Sequence, residues 1–273
     1  MEQVIRGTWV IAYRDLLRFV QERSRLIASI AMPLMFLIIF GAGFNRMIGS
    51  MAPGVDFIQF MYPGIIAMTA LNNSLQSGLS IVWDREFGFL KEVLVAPLSR
   101  IGIVLGKTIG TAVISLGQGF IMLALAPIIG VTVNGMIVLK LIPILIIVSI
   151  MISSLGILIA SRMRSQQGFQ MIIMILIMPL IFLSGVFFPV NNVPVWLEVI
   201  SKINPLTYGV DAIRQVFLSG TLPATGDPIK VGSIPIGVTV LGHNMTVLED
   251  TLVVAVLGAV LLLMAVWSFS RQE

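Results

Sequence analysis

Residues 136–160, MIVLKLIPILIIVSIMISSLGILIA, decide the fold of this chain. The run carries one charged residue, Lys140, among mostly aliphatic side chains. A helix rises ~1.5 Å per residue, so a run of this length crosses the ~30 Å hydrocarbon core of a bilayer. The sequence therefore predicts a transmembrane helix here, and with it an integral membrane protein.

The composition of the whole chain agrees with lipid as its main solvent. Hydrophobic residues make up 57% of the chain, charged residues make up 11%, and the mean hydropathy is +1.02. A soluble protein has about 25% charged residues. The chain has no cysteine and a single histidine, His243. Disulfides, cysteine nucleophiles and metal sites built from thiolates or histidine clusters are therefore excluded, and we expect neither a metal site nor catalytic residues.

Five further apolar runs complete a predicted all-α membrane fold with six transmembrane helices. The six spans are roughly residues 26–44, 57–83, 101–131, 136–160, 169–188 and 251–269. An even number of spans puts both termini on one side, and that side carries 12 Lys and Arg residues against five on the other. Positive residues collect on the cytoplasmic side of a membrane. Both termini are therefore expected in the cytoplasm, and the protein in the inner or plasma membrane.

Residues 1–25 are predicted to form a cytoplasmic interfacial helix, separate from the six-span domain of residues 26–273. One face carries Ile5, Trp9, Tyr13, Leu16 and Val20, and another carries Arg14, Arg18, Glu22 and Arg25. An amphipathic helix of this kind lies at the boundary between lipid and water. It is either an elbow that follows the movement of a partner or a passive anchor, and the sequence leaves both open.

The segment 84–100, DREFGFLKEVLVAPLSR, lies between the second and third spans on the predicted cytoplasmic side. Each of its charged residues would cost about 2.5–3.5 kcal/mol at mid-bilayer, whereas its apolar residues disfavour water. A short helix with both characters suits docking into a groove of a cytoplasmic protein. The alternative is an interfacial helix that only links two spans.

The segment 189–250 is the longest gap between predicted spans and is expected on the outer side. It begins with an apolar, partly helical stretch at residues 193–218 and ends in a Gly- and Pro-rich stretch at residues 219–244. The second stretch predicts loops or short strands. Prolines and asparagines between the apolar parts favour turns, and helices joined by turns can re-enter a membrane where protein surrounds them.

Amide side chains lie inside two predicted spans, at Asn72, Asn73 and Gln76 in the second and at Gln118 in the third. Amides in lipid commonly form hydrogen bonds between helices, for about 0.6–2 kcal/mol. The other interpretation is that Asn72, Asn73 and Gln76 face a substrate pathway between two subunits. The residues alone do not decide between these.

The energy source is expected to lie outside this chain. Carriers that are coupled to protons or sodium usually keep an acidic residue near the bilayer midplane, and no Asp or Glu lies at the centre of a predicted span. The sequence also has no Gly-x-x-x-x-Gly-Lys-Ser/Thr motif, the loop that cradles nucleotide phosphates. We therefore expect a separate ATPase chain to supply the energy.

The stretch REFGFLKE at residues 85–92, followed by VAPLSR at residues 95–100, resembles the cytoplasmic segment of type-2 ATP-binding-cassette (ABC) exporter permeases. That family includes drug-resistance, nodulation-factor and polysaccharide exporters, and in it this segment contacts the ATPase subunit. Lys91 replaces an acidic residue common in the family. The resemblance implies a coupling helix whose ATPase-coupling residues are Arg85, Glu86, Phe87, Gly88, Phe89, Leu90, Lys91, Glu92, Pro97 and Arg100.

A second pattern, with LSG at residues 183–185, FP at 188–189, PVWL at 194–197 and NPLTY at 204–208, is similar to another hallmark of the same family. There it forms short re-entrant helices that cap the outer exit. The resemblance, which covers about residues 5–270, implies an outer gate at Pro189, Trp196, Asn204, Pro205 and Tyr208. Because it favours the second and fifth spans as pathway walls, it also implies a pathway lined by Asn72, Asn73, Gln76, Ser184, Phe187 and Phe188.

We therefore expect the permease subunit of an ATP-driven exporter for an amphipathic, lipid-like, drug or glycoconjugate substrate, and not an enzyme. Its partners would be two copies of an ABC ATPase that hold ATP and magnesium, a second permease in a homodimer or related heterodimer, and the bilayer, but no nucleic acid. One alternative is an ATP-independent channel or scaffold. Another is a membrane enzyme that modifies lipids, which needs paired carboxylates, histidine or a metal; the polar clusters Asp84/Glu86 and Asp211/Arg214 have no base partner.

Overall fold

A computed structural model describes residues 2–51, 57–88, 99–187, 190, 193–221, 230–231, 234–235, 237–240 and 243–271 of the chain. Helices dominate these residues. In chain order they are α1 Glu2–Gln21, α2 Arg23–Met51, α3 Phe57–Glu86, α4 Arg100–Leu125, α5 Gly135–Arg162, α6 Gln166–Phe182, α7 Val195–Ile203, α8 Pro205–Thr221 and α9 Val247–Ser270. A 3-10 turn at Ala126–Ile129 extends α4.

Four two-residue strands lie between α8 and α9 and pair as two antiparallel hairpins. Strand β1 (Lys230–Val231) pairs with β2 (Ile234–Pro235), and β3 (Thr239–Val240) pairs with β4 (His243–Asn244). The Gly- and Pro-rich composition favours turns over helix here. The expectation of loops or short strands for residues 219–244 agrees with these hairpins.

Side-chain caps set the start of several helices. Ser99 accepts a hydrogen bond from the backbone of the first turn of α4, Asn134 does so for α5, and Ser165 does so for α6. At the start of α9, Thr246 and Glu249 form a reciprocal capping box. Each of these side chains satisfies backbone N–H groups that have no partner within the helix.

Helix α3 lies at the centre of the bundle and packs against α2, α4, α5, α6 and α8. It approaches α5 closely, because a Cβ atom added at Gly78 would lie 2.4 Å from the carbonyl oxygen of Gly156. The hydroxyl groups of Ser77 and Ser153 are 2.9 Å apart across the same contact. Small residues that let two backbones approach, with hydroxyls that bond across the contact, are typical of helix packing in lipid.

Length and hydropathy confirm an apolar, membrane-type helical protein but do not establish six spans. Within the described residues, three helical stretches alone are long and apolar enough to cross a bilayer: Arg100–Ile129, Gly135–Arg162 and Val247–Ser270. A fourth results only if Glu2–Gln21 and Leu26–Gly41, which meet at 70°, form one span. Helices do occupy all six predicted positions. However, α6 has 17 residues, fewer than the ~20 that usually cross a bilayer. Amides and terminal charges lower the mean hydropathy of α3, so this helix does not stand out as a span.

Candidate functional site

Five helix ends meet at one end of the bundle, which we call the proximal end because segment 84–100 joins it. Helices α3, α5 and α9 end there, and α4 and α6 begin there. Three residues predicted to couple to an ATPase, Arg85, Glu86 and Arg100, lie among these helix ends. The opposite end of the bundle, where α6 ends and α9 begins, is called the distal end.

Arg85, Glu86 and Arg100 bind backbone groups of other helices rather than pointing freely outward. Arg85 donates to the carbonyl oxygen of Met163 at 2.6 Å, just after α5. Arg100 donates to the carbonyl oxygen of Ser270 at 2.8 Å, at the end of α9. The Glu86 carboxylate accepts a hydrogen bond from the first N–H of α6 at 2.9 Å. Cations at helix C-termini and an anion at a helix N-terminus also complement the helix dipoles.

Phe87 is a predicted coupling residue whose side chain is available to another protein. Its side chain is 72% exposed, and its ring meets that of Trp83 edge-on at 5.7 Å. Gly88 follows with a φ of +78°, a left-handed conformation that ends α3 and that glycine adopts without strain. The remaining predicted coupling residues, Phe89, Leu90, Lys91, Glu92 and Pro97, lie outside the described residues.

Four charged residues form an ion cluster that joins α1 to α3 and α4. The Lys107 ammonium lies 3.1 Å from a carboxylate oxygen of Asp15 and 3.5 Å from one of Asp84, and it donates to the Ser80 hydroxyl at 2.7 Å. Arg14 approaches Asp84 at 2.8 Å. The Lys107 side chain is 1% exposed. The sequence analysis missed this cluster, although a lysine two turns into an apolar span was a signal that an acidic partner is needed.

The same contact between α1 and α4 depends on three glycines of α4, at positions 102, 106 and 110. A Cβ atom at Gly106 would lie 2.7 Å from Cβ of Ile11 and 2.8 Å from the carbonyl oxygen of Thr8. The four-residue spacing places these glycines on one helix face, and α1 packs along it. Helix α1 is therefore held by close packing as well as by charge.

The apolar face predicted for α1 points away from the bundle. Ile5, Trp9, Tyr13 and Val20 are each more than half exposed, whereas Ile11 and Phe19 on another face are buried. An exposed apolar face beside a membrane bundle is suited to lipid. An interfacial position for α1 stays a prediction, and the ion cluster gives α1 a firm connection to the bundle.

The amides of α3 divide between two sides of the helix. Asn72 and Gln76 line a cavity of about 330 Å³ between α3 and α6, which we call the α3–α6 groove, together with apolar residues such as Ile173 and Ile177. Asn73 is buried and faces α1 and α4 instead. Positions four apart share a helix face, whereas adjacent positions are about 100° apart. Gln76 also lines the cavity that Asn73 faces, so neither of the two cavities is lined by all three predicted pathway amides.

Gln118 behaves as the interhelical interpretation expects. Its amide donates to the hydroxyl group of Ser29 and so links α4 to α2, and its side chain is buried. Asn72 instead donates to a carbonyl oxygen of its own helix, at Met68, over 3.0 Å.

Two other predicted pathway residues, Ser184 and Phe187, lie near the distal end. Ser184 is buried and donates to the carbonyl oxygen of Ile181 at 2.7 Å. The Phe187 ring contacts the rings of Phe40 and Phe182, with centroids 5.4 and 5.2 Å apart. These contacts pack the turn after α6 against α2. Phe188 and Pro189 lie outside the described residues.

Three predicted outer-gate residues, Asn204, Pro205 and Tyr208, stabilise the corner between α7 and α8. Asn204 donates to the carbonyl oxygen of Leu180 at 2.8 Å, at the end of α6, and its side-chain oxygen accepts from the N–H of Leu206 at 3.0 Å. Pro205 is the first residue of α8, a position where its missing N–H costs nothing. Tyr208 donates to a carbonyl oxygen of α7 at 2.8 Å. Trp196 is 65% exposed.

Arg214 is buried inside the distal half of the bundle, not on the outer loop where the charge count placed it. Its guanidinium donates to the carbonyl oxygen of Gly185 at 2.5 Å and lies 4.0 Å from the Phe60 ring centroid. A guanidinium over an aromatic face gains from the negative charge of that face. The charge is thus accommodated by a carbonyl and a ring.

Two buried carboxylates lie close to this arginine and share one amide. Gln215 donates to Asp211 at 3.0 Å and to Asp250 at 2.9 Å, and Asp211 also accepts from the N–H of Val238 at 2.7 Å. These bonds connect α8, α9 and the second hairpin. Within the described residues, no three His, Cys, Asp or Glu side chains are arranged to hold a metal ion.

Comparison with known proteins supplies independent information. A family model described as ABC-2 type transporter matches residues 6–218. The transport permease ycf38 of Cyanophora paradoxa is 34% identical over 220 residues, 78% of this chain and 74% of that protein. Nodulation protein J of Rhizobium meliloti is 28% identical over 213 residues, 77% and 80% of the two chains. "Probable multidrug ABC transporter permease YbhR" of Escherichia coli K12 is 32% identical over 168 residues, 61% and 45%.

Proposed function

The chain belongs to the ABC-2 type transporter family, and from this premise we propose that it is the transmembrane permease subunit of an ATP-driven exporter. It acts as a transport subunit, while a separate ABC ATPase binds ATP and magnesium and hydrolyses the nucleotide. The substrate that moves outward is amphipathic: a lipid-like molecule, a drug or a glycoconjugate. The names of relatives support this range, since they refer to multidrug transport and to nodulation.

The proposed architecture has six spans, formed by α2, α3, α4, α5, α6 and α9. The protein lies in the inner or plasma membrane, and both of its termini are in the cytoplasm. Helix α1 is the elbow helix, segment 84–100 is the coupling helix, and α7 with α8 is the re-entrant outer cap. Two permease copies and two ATPase copies assemble. The exposed α6 face, with Met171, Met174, Ile175 and Met178, supports a second permease as its neighbour.

The observation that carries the proposal is the set of bonds at the proximal end. Segment 84–100 connects α3 to α4, and Arg85, Glu86 and Arg100 join these two helices to α5, α6 and α9. A displacement of the segment by an ATPase would therefore act on five helices together. The ion cluster would carry the same displacement to α1. The α3–α6 groove lies along two of these helices and would change width as they move.

The test is a change at Phe87, since its exposed ring can contact a partner without supporting another helix. We expect Phe87→Asp to reduce by about tenfold the vanadate-sensitive ATPase activity that co-purifies with the tagged chain from native membranes, because it places a charge in an apolar contact. Ile128→Asp, at a residue 81% exposed at the other end of α4, is the matched control. Full retention of ATPase by Phe87→Asp would contradict the role of this segment. Substrate flux through the purified chain alone in liposomes would favour the channel alternative.

A further inference from the structure

A cavity of about 270 Å³ with both polar and apolar walls, which we call the α1 cavity, lies where α1, α3 and α4 meet. Its walls include Asp15 and Arg18 from α1, Asn73 and Trp83 from α3, and Thr111 from α4. It adjoins the ion cluster, which contributes Asp15 to its wall. None of the functions proposed above uses this cavity.

The charges around the α1 cavity leave one arginine without a salt bridge. Asp15 is neutralised by Lys107 at 3.1 Å and by Arg14 at 3.3 Å. Arg18 has no carboxylate within salt-bridge distance among the described residues, and its guanidinium lies 5.0 Å from the Trp83 ring centroid. A guanidinium is a planar donor that binds phosphate in a bidentate manner. Glu22, which also lines the cavity, is the residue that would oppose an anion there.

Two further donors in the wall have no acceptor. The side-chain nitrogens of Asn73 and Trp83 are buried, and neither has a hydrogen-bond partner in the described part of the chain. Buried polar groups in proteins usually have a partner, and leaving one without costs about 1–3 kcal/mol. Together with Arg18, these donors favour a ligand that is rich in hydrogen-bond acceptors. A phosphate group has that chemistry.

The position of the α1 cavity indicates that its ligand also has an apolar tail. Gln76 and Leu79 line both this cavity and the α3–α6 groove, so the two spaces adjoin across α3. The groove is walled mainly by apolar residues of α6, among them Met174 and Met178. Trp83 lies one turn before the proximal end of α3, and tryptophan is common at the depth of lipid headgroups.

We propose that the α1 cavity binds the phosphate-bearing headgroup of an amphiphile from the membrane leaflet at the proximal end, and that the apolar chain of this amphiphile lies in the α3–α6 groove. The site is a property of this chain alone. It depends neither on the ATPase nor on whether the amphiphile is transported, so a failure of the exporter proposal would leave it standing.

The fluorescence of Trp83 reports on the site directly. Trp9, Trp196 and Trp267 are all exposed, so their replacement by Phe leaves Trp83 as the single indole with little expected damage. The full-length variant in an uncharged detergent is titrated with phosphatidylglycerol, with diacylglycerol of the same chains, and with glycerol phosphate. The second ligand lacks the phosphate and the third lacks the chains.

We expect saturable binding of phosphatidylglycerol, and a dissociation constant about tenfold higher in Arg18→Gln, because one charge-assisted hydrogen bond is lost. Arg18→Lys keeps the charge and should lose less affinity than Arg18→Gln. Arg6→Gln, at an exposed position of the same helix, is the matched control and should bind as the parent does.

Three results would overturn the proposal. Equal affinity for diacylglycerol and phosphatidylglycerol would show that the phosphate is not recognised. Equal affinity for glycerol phosphate and phosphatidylglycerol would make this a site for a soluble anion. Unchanged binding of phosphatidylglycerol by Arg18→Gln would remove the arginine from the site.

Discussion

The proximal and distal ends of the bundle both bury charged side chains, but they neutralise them differently. At the proximal end, Lys107 and Arg14 face Asp15 and Asp84, and the four residues come from α1, α3 and α4. At the distal end, Arg214 meets a carbonyl oxygen and an aromatic ring. One end joins separate helices by direct ion pairs, whereas at the other end the guanidinium directly contacts an uncharged carbonyl oxygen and a ring, and Asp211 attracts it without a salt bridge among the described residues.

This difference suits two mechanical roles. Attraction between full charges depends weakly on angle, and an ammonium is a compact point charge with rotatable donors. A joint of this kind can stay closed while the helices shift. A hydrogen bond to a carbonyl oxygen weakens steeply as its angle departs from linearity, so the distal contacts favour one fixed arrangement. The ion cluster is therefore the better place for α1 to shift against its neighbours, whereas the angle-dependent bonds of Arg85 and Arg100 at the proximal end and of Arg214 at the distal end hold their helices in one arrangement.

The largest expected effect follows from the removal of Lys107. In Lys107→Met, two buried carboxylates share the single cation Arg14, and breaking a buried ion pair on one side costs about 3–5 kcal/mol. We expect a large fall in the free energy of unfolding, measured in detergent by denaturant titration. Lys140→Met, at an exposed lysine of α5, is the control. Adding Asp15→Asn should recover part of the loss, because it removes one of the uncompensated charges.

A smaller loss is expected for Arg214→Met at the distal end. This change leaves the carbonyl oxygen of Gly185 without its donor; Asp211 loses the attraction of the guanidinium but keeps its bonds to Gln215 and Val238. A hydrogen bond to a charged group contributes about 1.5–3 kcal/mol. The same titration measures it, with Arg162→Met at an exposed position as the control. A loss as large as that of Lys107→Met would remove the distinction between the two ends.

Close packing of α1 is tested by two glycines of one helix. Gly106→Ala forces a methyl group against Ile11 and Thr8, and overpacking typically costs about 1–3 kcal/mol. Gly117→Ala meets nothing within 4 Å and should stabilise α4 by about 0.5–1 kcal/mol. We also expect faster proteolysis of residues 2–21 in Gly106→Ala alone. Equal behaviour of the two variants would show that α1 is not held by this contact.

Much of the architecture could be predicted from local sequence, because apolar runs and caps are local features. Helices occupy the positions of the six predicted spans, although among the described residues three stretches alone are long and apolar enough to cross a bilayer. Thr246 with Glu249 has the spacing of a capping box. The four-residue spacing of Gly102, Gly106 and Gly110 was also readable as a small-residue face. The sequence analysis did not identify this glycine face, because it ranked segments by their hydrophobic runs and not by the small residues within them.

The contacts of the candidate site could not be predicted, for a physical reason. Lys107 meets Asp15, which is 92 residues away in the chain, and nothing in the spacing of either residue indicates the other. Arg85 and Arg100 bind backbone carbonyl oxygens, and every residue has such an oxygen. The resemblance drew attention to segment 84–100, whose contact with an ATPase stays a prediction. It implied external contacts for residues whose described partners lie in this chain.

The finest test compares two glutamates that bond to helix N-termini, one at each end. Glu86 reaches from the end of α3 to the first N–H of α6, whereas Glu249 bonds within the first turn of its own helix. Glu86→Gln weakens an exposed charge–dipole contact of about 0.3–1 kcal/mol. Glu249→Gln should lower the free energy of unfolding by no more than Glu86→Gln does, because glutamine also serves in a capping box. Only Glu86→Gln should weaken stimulation of the ATPase by substrate, since only that bond joins two helices. If both variants responded alike, the bonds between helix ends would not be what transmits movement from the proximal end.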